Sequence, residues 1–310
     1  MPDPKKHVDL QIIGREYGLS YSKGLMAQSI MATGLPPERA YHVAREIEKH
    51  LVDTGEQGIT LERLQKIAQQ VLGEEEGQSF TERYRRWRLL GELEKPIIIL
   101  IGGTTGVGKS TLATQVAHRL GVTRLISTDS IRQAMRAFFA PELMPAIHYS
   151  SFEAGEVIKA AQGMDKVITG YLDQVEKVCV GVNAIIERAI KEGTRMVIEG
   201  AHLVPGYLQD DLWQRAIVIQ LVLAVTDEDR HKSHFYVRDQ ETGGVRSLKK
   251  YVANLDKIRR VQAYLVQSAK EANVPVIENH SIDDAIKIVM GIVLDTVSKY
   301  QESGLELEVS

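Results

Sequence analysis

The chain has 310 residues, with 38 Lys+Arg against 41 Asp+Glu, a formal net charge of -3 and one cysteine. That length admits two domains, ordinary apolar and charged fractions argue against widespread disorder, and near neutrality leaves no electrostatic footprint for nucleic acid. Cys179 alone excludes a disulfide framework or Cys-rich zinc site, and no apolar run nears the roughly 20 residues that span a bilayer. The polar start at residues 1–6 has no signal-peptide core behind it, so a cytoplasmic protein without membrane partners is expected.

Val8, Leu10 and Ile12 alternate as in a brief strand, and 14–18 reads as a turn. Ser22 can cap a helix carrying Leu25, Met26, Ile30 and Met31 up to Gly34. Pro36 and Pro37 suit the start of a second helix, with Ala40, Val43, Ala44, Ile47 and Leu51 on one face. Thr60 caps a third, bearing Leu61, Leu64, Ile67, Ala68 and Val71 and ending at Gly73. Residues 73–78 read as a solvated loop. An exposed, connecting basic helix should follow, with Arg83, Arg85, Arg86 and Arg88 around Tyr84 and Trp87. Its aromatics lean on a neighbouring domain or, in the other reading, its charges contact a nucleotide or partner.

From Lys95 the pattern changes to strands alternating with helices. Apolar runs at 97–101, 124–127, 196–198, 217–225 and 274–277 predict five strands. Helices are expected over 109–120, 130–139, 169–191 and 283–299. Such alternation implies an α/β fold with a mostly parallel five-stranded sheet covered on both faces. Residues 1–92 should then form a small, mainly helical domain, with the connecting basic helix, and 93–310 the α/β domain. Met135, Met144, Phe138 and Phe139 read as core.

One motif carries chemistry directly. Gly103-Thr104-Thr105-Gly106-Val107-Gly108-Lys109-Ser110 satisfies the full P-loop pattern G-x-x-x-x-G-K-[ST], between a buried-strand run and a helix. Its glycines let backbone N–H groups turn inward around phosphates at the positive end of a helix. Gly103 to Ser110, with Thr111 behind them, are therefore expected to bind ATP. Lys109 should reach the β- and γ-phosphates, and the Ser110 hydroxyl should ligate Mg²⁺. The fold class expected is the P-loop NTPase fold. The Asn-Lys-x-Asp base-reading motif of GTPases is absent from the sequence.

The second strand ends in Ser127-Thr128-Asp129-Ser130-Ile131-Arg132, with Arg136 a helical turn further on. Neighbouring strands of a parallel sheet open onto one crevice, so Asp129 should face the γ-phosphate. It could take the acceptor hydroxyl's proton or help hold Mg²⁺, while Arg132 and Arg136 clamp an anionic small-molecule substrate. The competing reading makes Asp129 a helix cap and the arginines solvated. Glu199, at the end of the third strand, is the expected carboxylate for Mg²⁺. His202 is either a substrate contact or a histidine packed at the sheet edge. Ser150 and Ser151 either bind substrate oxygens or cap the helix expected near Glu153. Past the fourth strand, Arg230, Arg238, Arg246, Lys249, Lys250, Arg259 and Arg260 surround Gly243-Gly244 as a candidate lid. Arg238 leads as the cation on the transferred group and Arg259 follows as a substrate contact.

These stretches together resemble the 2-phosphoglycerate kinase family: the P-loop, Ser127-Thr128-Asp129-Ser130-Ile131-Arg132, Tyr149-Ser150-Ser151-Phe152-Glu153-Ala154-Gly155 and Glu199-Gly200-Ala201-His202 through Gly206. So does the stretch from His234 through Arg238 to Tyr251 and on to Gln262. The resemblance implies ATP plus 2-phosphoglycerate giving ADP and 2,3-bisphosphoglycerate, with ATP and Mg²⁺ as cofactors. It also implies that the first domain is similar to an ATP-cone, on Ser22-Lys23, Leu25, Ser29, Ala32-Thr33-Gly34, Ala40, Ile59-Thr60-Leu61 and Glu82-Arg83-Tyr84. Arg15 and Lys23 would contact a regulatory nucleotide there. Where many cones carry Lys-Arg, this chain has Gly14-Arg15, which leaves a purely structural or oligomer-forming domain as the other reading. For the whole chain the alternatives are another small-molecule P-loop kinase, or a nucleotide-sensing interaction protein without acceptor turnover.

Overall fold

In the computed structural model the described residues are 23–55, 59–90, 93–159, 161–241 and 248–308. The expected strand at 8–12, and Arg15, lie outside them. The described residues divide into two compact units. One holds those up to Leu93 with His118–Gly121 and Met290 onward; the other holds Glu94–Ala117 and Val122–Val289. No described helix is long and apolar enough to cross a membrane.

In the first unit, α1 (Lys23–Met31), α2 (Pro37–Thr54) and α3 (Leu61–Leu72) follow the apolar spacing. Pro37 opens α2, and the Thr60 hydroxyl accepts from the N–H of Arg63 to cap α3. The expected loop at 73–78 is instead the first turn of α4 (Glu74–Leu89). Three glutamates there complement the positive helix end. Gly77 continues the helix because α3 runs against it: a Cβ would lie 2.6 Å from the Gln69 Cα. Nor is α4 an exposed connector, since Phe80 and Tyr84 are buried in the core of the four helices.

In the second unit five parallel strands lie in the order β2-β3-β1-β4-β5: β1 (Ile97–Gly102), β2 (Leu125–Ser127), β3 (Met196–Gly200), β4 (Ile217–Ala224) and β5 (Val276–Glu278). All six residues of β1 are buried, as a central strand covered on both faces requires. One face packs on α7 (Lys166–Lys191) and α11 (Leu255–Glu271), through Tyr171, Val175, Val178, Val182, Val261 and Leu265. The helix α5 (Lys109–Arg119) follows β1 and α6 (Thr128–Phe138) follows β2. After β3 come the short α8 (Leu212–Arg215), then α9 (Glu228–Glu241), α10 (Leu248–Ala253) and α12 (Ile282–Glu308). Phe138 is a correction to the expected core: its ring is exposed, while Phe139 packs inward.

Register fixes what meets at the sheet's C-terminal edge. Ile101 of β1 pairs with Glu199 of β3, and Glu199 with Ser127 of β2. The P-loop, the acidic end of β3 and the start of α6 therefore open onto one crevice.

Candidate active site

The P-loop joins β1 to α5, and three of its glycines are irreplaceable on space as well as backbone angle. Gly103, Gly106 and Gly108 have φ of 145°, 86° and 91°. A Cβ at Gly106 would lie 2.3 Å from the Phe235 ring, and one at Gly108 2.7 Å from Asn279 Nδ2. The loop's carbonyls are taken one after another by side chains. Lys109 Nζ donates to Thr104 O at 2.8 Å, and His231 Nε2 to Thr105 O at 2.8 Å. His234 Nδ1 donates to Gly106 O at 2.8 Å and Asn279 Nδ2 to Val107 O at 2.9 Å. Holding the carbonyls outward leaves the N–H groups to form an anion-binding concavity. Burial lowers the pKa of His231, and the Arg259 and Lys109 charges reinforce this against its bond to Thr105, so it binds as the neutral ring. The expected lid segment thus begins as a helix packed on the P-loop, with Phe235 stacked between His231 and Tyr251 at ring separations of 5.0 Å.

Beside the loop, the Ser110 hydroxyl donates to Glu199 Oε1 at 3.0 Å, and Glu199 is buried. A hydroxyl and a withdrawn carboxylate side by side are the oxygen donors a hard cation takes. The Thr104 hydroxyl is fully enclosed without a hydrogen-bond partner among the described residues. No group of three or more His, Cys, Asp or Glu side chains among the described residues could hold a metal.

The capping alternative for Asp129 does not hold. Ser127 caps α6, its hydroxyl accepting from the N–H of Ser130 at 3.0 Å. The Asp129 side chain is left 71% exposed, accepting from Arg132 Nε at 3.2 Å. Desolvation raises its pKa, but His202, Arg132 and Lys109 outweigh this and hold the carboxyl below its usual range. Arg132 is only 14% exposed in its side chain, and its Nη1 also donates to Ile147 O at 2.9 Å and Tyr149 O at 2.8 Å. It builds the wall of the neighbouring cavity.

That cavity, of about 420 Å³, is lined by Arg132, Arg136, Ser150, Glu153, Glu156 and Lys250 among others. Ser151 is buried beside it. Neither serine hydroxyl caps the 3₁₀ turn Ala154–Val157; the Ser150 carbonyl accepts from the N–H groups of Glu153 and Ala154 instead.

His202 is corrected as a substrate contact. It is fully buried, and both ring nitrogens are used. Gln174 donates its amide N–H to Ala146 O at 2.5 Å and Tyr149 O at 3.1 Å, which turns its oxygen toward His202 Nε2 at 2.8 Å. Nε2 therefore carries the proton, and Nδ1 accepts from the Thr128 hydroxyl at 2.7 Å. Burial pushes the His202 pKa down to about 4, so the ring is neutral.

Arg259 donates from Nη2 to Thr226 O at 2.7 Å and lies 3.9 Å from Glu228, beside the end of β4. Arg230 meets His280 at 2.8 Å, and Arg260 pairs with Asp165 at 2.6 Å. Arg238 falls within α9, but its side chain lies outside the described residues, as do Gly243, Gly244 and Arg246. In the first unit Lys23 pairs with Glu48 at 3.0 Å. Sequence reasoning missed Gln174 and Asn279. The first was detectable as a polar residue on the apolar stripe of α7, alongside Tyr171, Val175 and Val178.

Residues 98–249 match an AAA domain family. A 2-phosphoglycerate kinase of Methanopyrus kandleri is 38% identical over 95% of this chain and 90% of its own length. The chain belongs to the 2-phosphoglycerate kinase family. Two further members agree: that of Methanothermobacter thermautotrophicus is 39% identical over 96% of this chain and 97% of its own. That of Pyrococcus furiosus is 39% identical over 93% and 94%. Family membership thus spans both units of the chain, and makes it a P-loop kinase.

Proposed function

We propose that the chain transfers the γ-phosphoryl group of ATP to the free hydroxyl of 2-phosphoglycerate, giving ADP and 2,3-bisphosphoglycerate. The bond between the γ-phosphorus and the β–γ bridging oxygen breaks as the hydroxyl oxygen bonds that phosphorus, and the hydroxyl proton passes to Asp129. The observation that carries the reading is Arg132, which binds Asp129 with one nitrogen and the cavity wall with another. It ties the carboxylate beside the P-loop to a cavity of small-metabolite size whose wall carries Arg136 and Lys250. The names of the relatives supply the acceptor.

In this reading Gly103 to Thr111 cradle the triphosphate, and Lys109 exchanges Thr104 O for a phosphate oxygen. Ser110 and Glu199 would hold Mg²⁺, which when bound neutralises charge on the phosphates. Asp129 stays ionised and exposed, oriented by Arg132. A loose phosphoryl-transfer transition state needs this group to orient the hydroxyl and collect its proton late, so a strong base is unnecessary. Arg238 and Arg259 remain candidates for cations near the transferred group. The first unit is read as a cone-like domain on the four-helix core, a structural or oligomer-forming role being the second reading.

The test is ADP formation by the full chain with 2-phosphoglycerate, with the product identified. Release of ADP at one rate with and without acceptor would favour a nucleotide-sensing protein.

A further inference from the structure

We propose that the Arg136–Lys250 side of the cavity is the subsite for the phosphate the acceptor already carries, and that Glu153 holds Lys250 in that phosphate's place until it arrives. The inference rests on the reading that the acceptor is a phosphorylated hydroxy acid. Of the cavity's cations, Arg132 is committed to two carbonyls and to Asp129. Arg136 is not: Nη1 donates to Gln133 at 3.0 Å, while Nε is enclosed with no partner among the described residues. Lys250 reaches in from α10, with Nζ 2.7 Å from Glu153 Oε2 and 3.4 Å from the Ser150 hydroxyl. It also lies 5.8 Å from the centroid of the Phe152 ring. Glu156 is paired separately, with Lys257 at 3.1 Å.

The Glu153 side chain is only 17% exposed, and a carboxylate withdrawn from water needs a charged partner. Lys250 is 48% exposed, on a flexible stem that lets the ammonium exchange one oxygen for another. A phosphate brings close to two negative charges and three acceptor oxygens, enough for Lys250, the Arg136 fork and the Ser150 hydroxyl together. It also meets the like charge of Glu153, which must turn away. An acceptor without a phosphate gains too little from Lys250 to displace Glu153. Glu153 is therefore a specificity-determining residue as well as a stand-in, holding Lys250 against any ligand too weakly charged to displace it.

The experiment titrates inorganic phosphate into the full chain, with Mg²⁺ and a non-hydrolysable ATP analogue saturating the P-loop. Lys250→Met should weaken phosphate at least about tenfold, as truncating a charge partner does, with Lys250→Arg close to the parent. Glu153→Gln should tighten it. Equal affinity in Lys250→Met and parent overturns the subsite; unchanged or weaker binding in Glu153→Gln overturns the stand-in. In turnover, Lys250→Met should raise KM for 2-phosphoglycerate far more than for glycerate. Should the parent phosphorylate neither compound, the reading of the function fails, while the phosphate titration still decides the subsite.

Discussion

His202 donates from Nε2 to the amide oxygen of Gln174 at 2.8 Å, joining the loop after β3 to the buried stripe of α7. Through Thr128 on one side and the Tyr149 carbonyl on the other, this bond closes a ring that contains Asp129 and Arg132. The ring fixes the carboxylate relative to the cavity wall. A Cβ at Gly200 would lie 1.7 Å from the Thr128 hydroxyl, so the backbone has been cleared for that bond. Gln174→Leu should leave His202 Nε2 without its acceptor and take one donor each from the Ala146 and Tyr149 carbonyls. We expect KM for the acceptor to rise about tenfold with KM for ATP little changed, as for loss of a buried hydrogen-bonded pair. Steady-state kinetics in both substrates checks this split.

The same histidine makes stability depend on pH. Its pKa falls from the ordinary 6.5 to about 4 in the fold, because burial disfavours the charged ring. The unfolded chain binds the proton first, so this contribution is complete above pH 6.5 and declines as pH drops toward 4. The loss is on the order of 3 kcal/mol at most, at about 1.4 kcal/mol per pH unit. His202→Gln should show a shallower fall in Tm over that window than the parent, measured by thermal melts.

The P-loop clasp predicts a nucleotide-specific defect. His234→Ala and Asn279→Ala each release one outward carbonyl, Gly106 O or Val107 O. Each should raise KM for ATP several-fold while leaving KM for the acceptor near the parent value. Gly106→Ala should be worse, since its Cβ meets the Phe235 ring at 2.3 Å and φ is 86°. Overpacking and left-handed strain together should cost roughly 2–4 kcal/mol of stability. Nucleotide titrations and melts of the three variants separate these effects.

How much of this was legible in the sequence differs between local and long-range features. The P-loop, the five strands and the Pro37 and Thr60 helix starts are local signals, and each is found where the spacing put it. The first turn of α4 was not legible, because the close approach to Gln69 that explains Gly77 is a tertiary contact. Capping by Asp129 stood as a competing reading because Ser127 and Asp129 both suit that position, and only geometry decides which accepts from the backbone. His202 could not be assigned from its loop alone. Its partners Gln174 and Thr128 are 28 and 74 residues away. The pairing of Lys250 with Glu153 was hidden for the same reason, across the unpatterned lid segment.

Cys179 offers a check on the packing beneath the site. It is 3% exposed, its thiol donates to the His202 carbonyl, and burial pushes its pKa up to about 12. The thiolate is the reactive form, so the native chain should resist alkylation by iodoacetamide at pH 8 and react only when unfolded. Mass spectrometry before and after denaturant reads the difference.

The central claim is phosphoryl transfer from the P-loop to an acceptor oriented by Asp129. Glu199→Gln, with the Ser110 partner changed, should raise the Mg²⁺ needed for half-maximal rate. The most direct measurement is the rate of ADP formation by the parent, Lys109→Ala and Asp129→Asn, with and without 2-phosphoglycerate. The account predicts acceptor-dependent ADP with one equivalent of 2,3-bisphosphoglycerate from the parent and none detectable from Lys109→Ala. It predicts a kcat lowered on the order of 10²–10³-fold in Asp129→Asn, with ATP affinity kept. Acceptor-independent ADP release, or full turnover by Asp129→Asn, would contradict it.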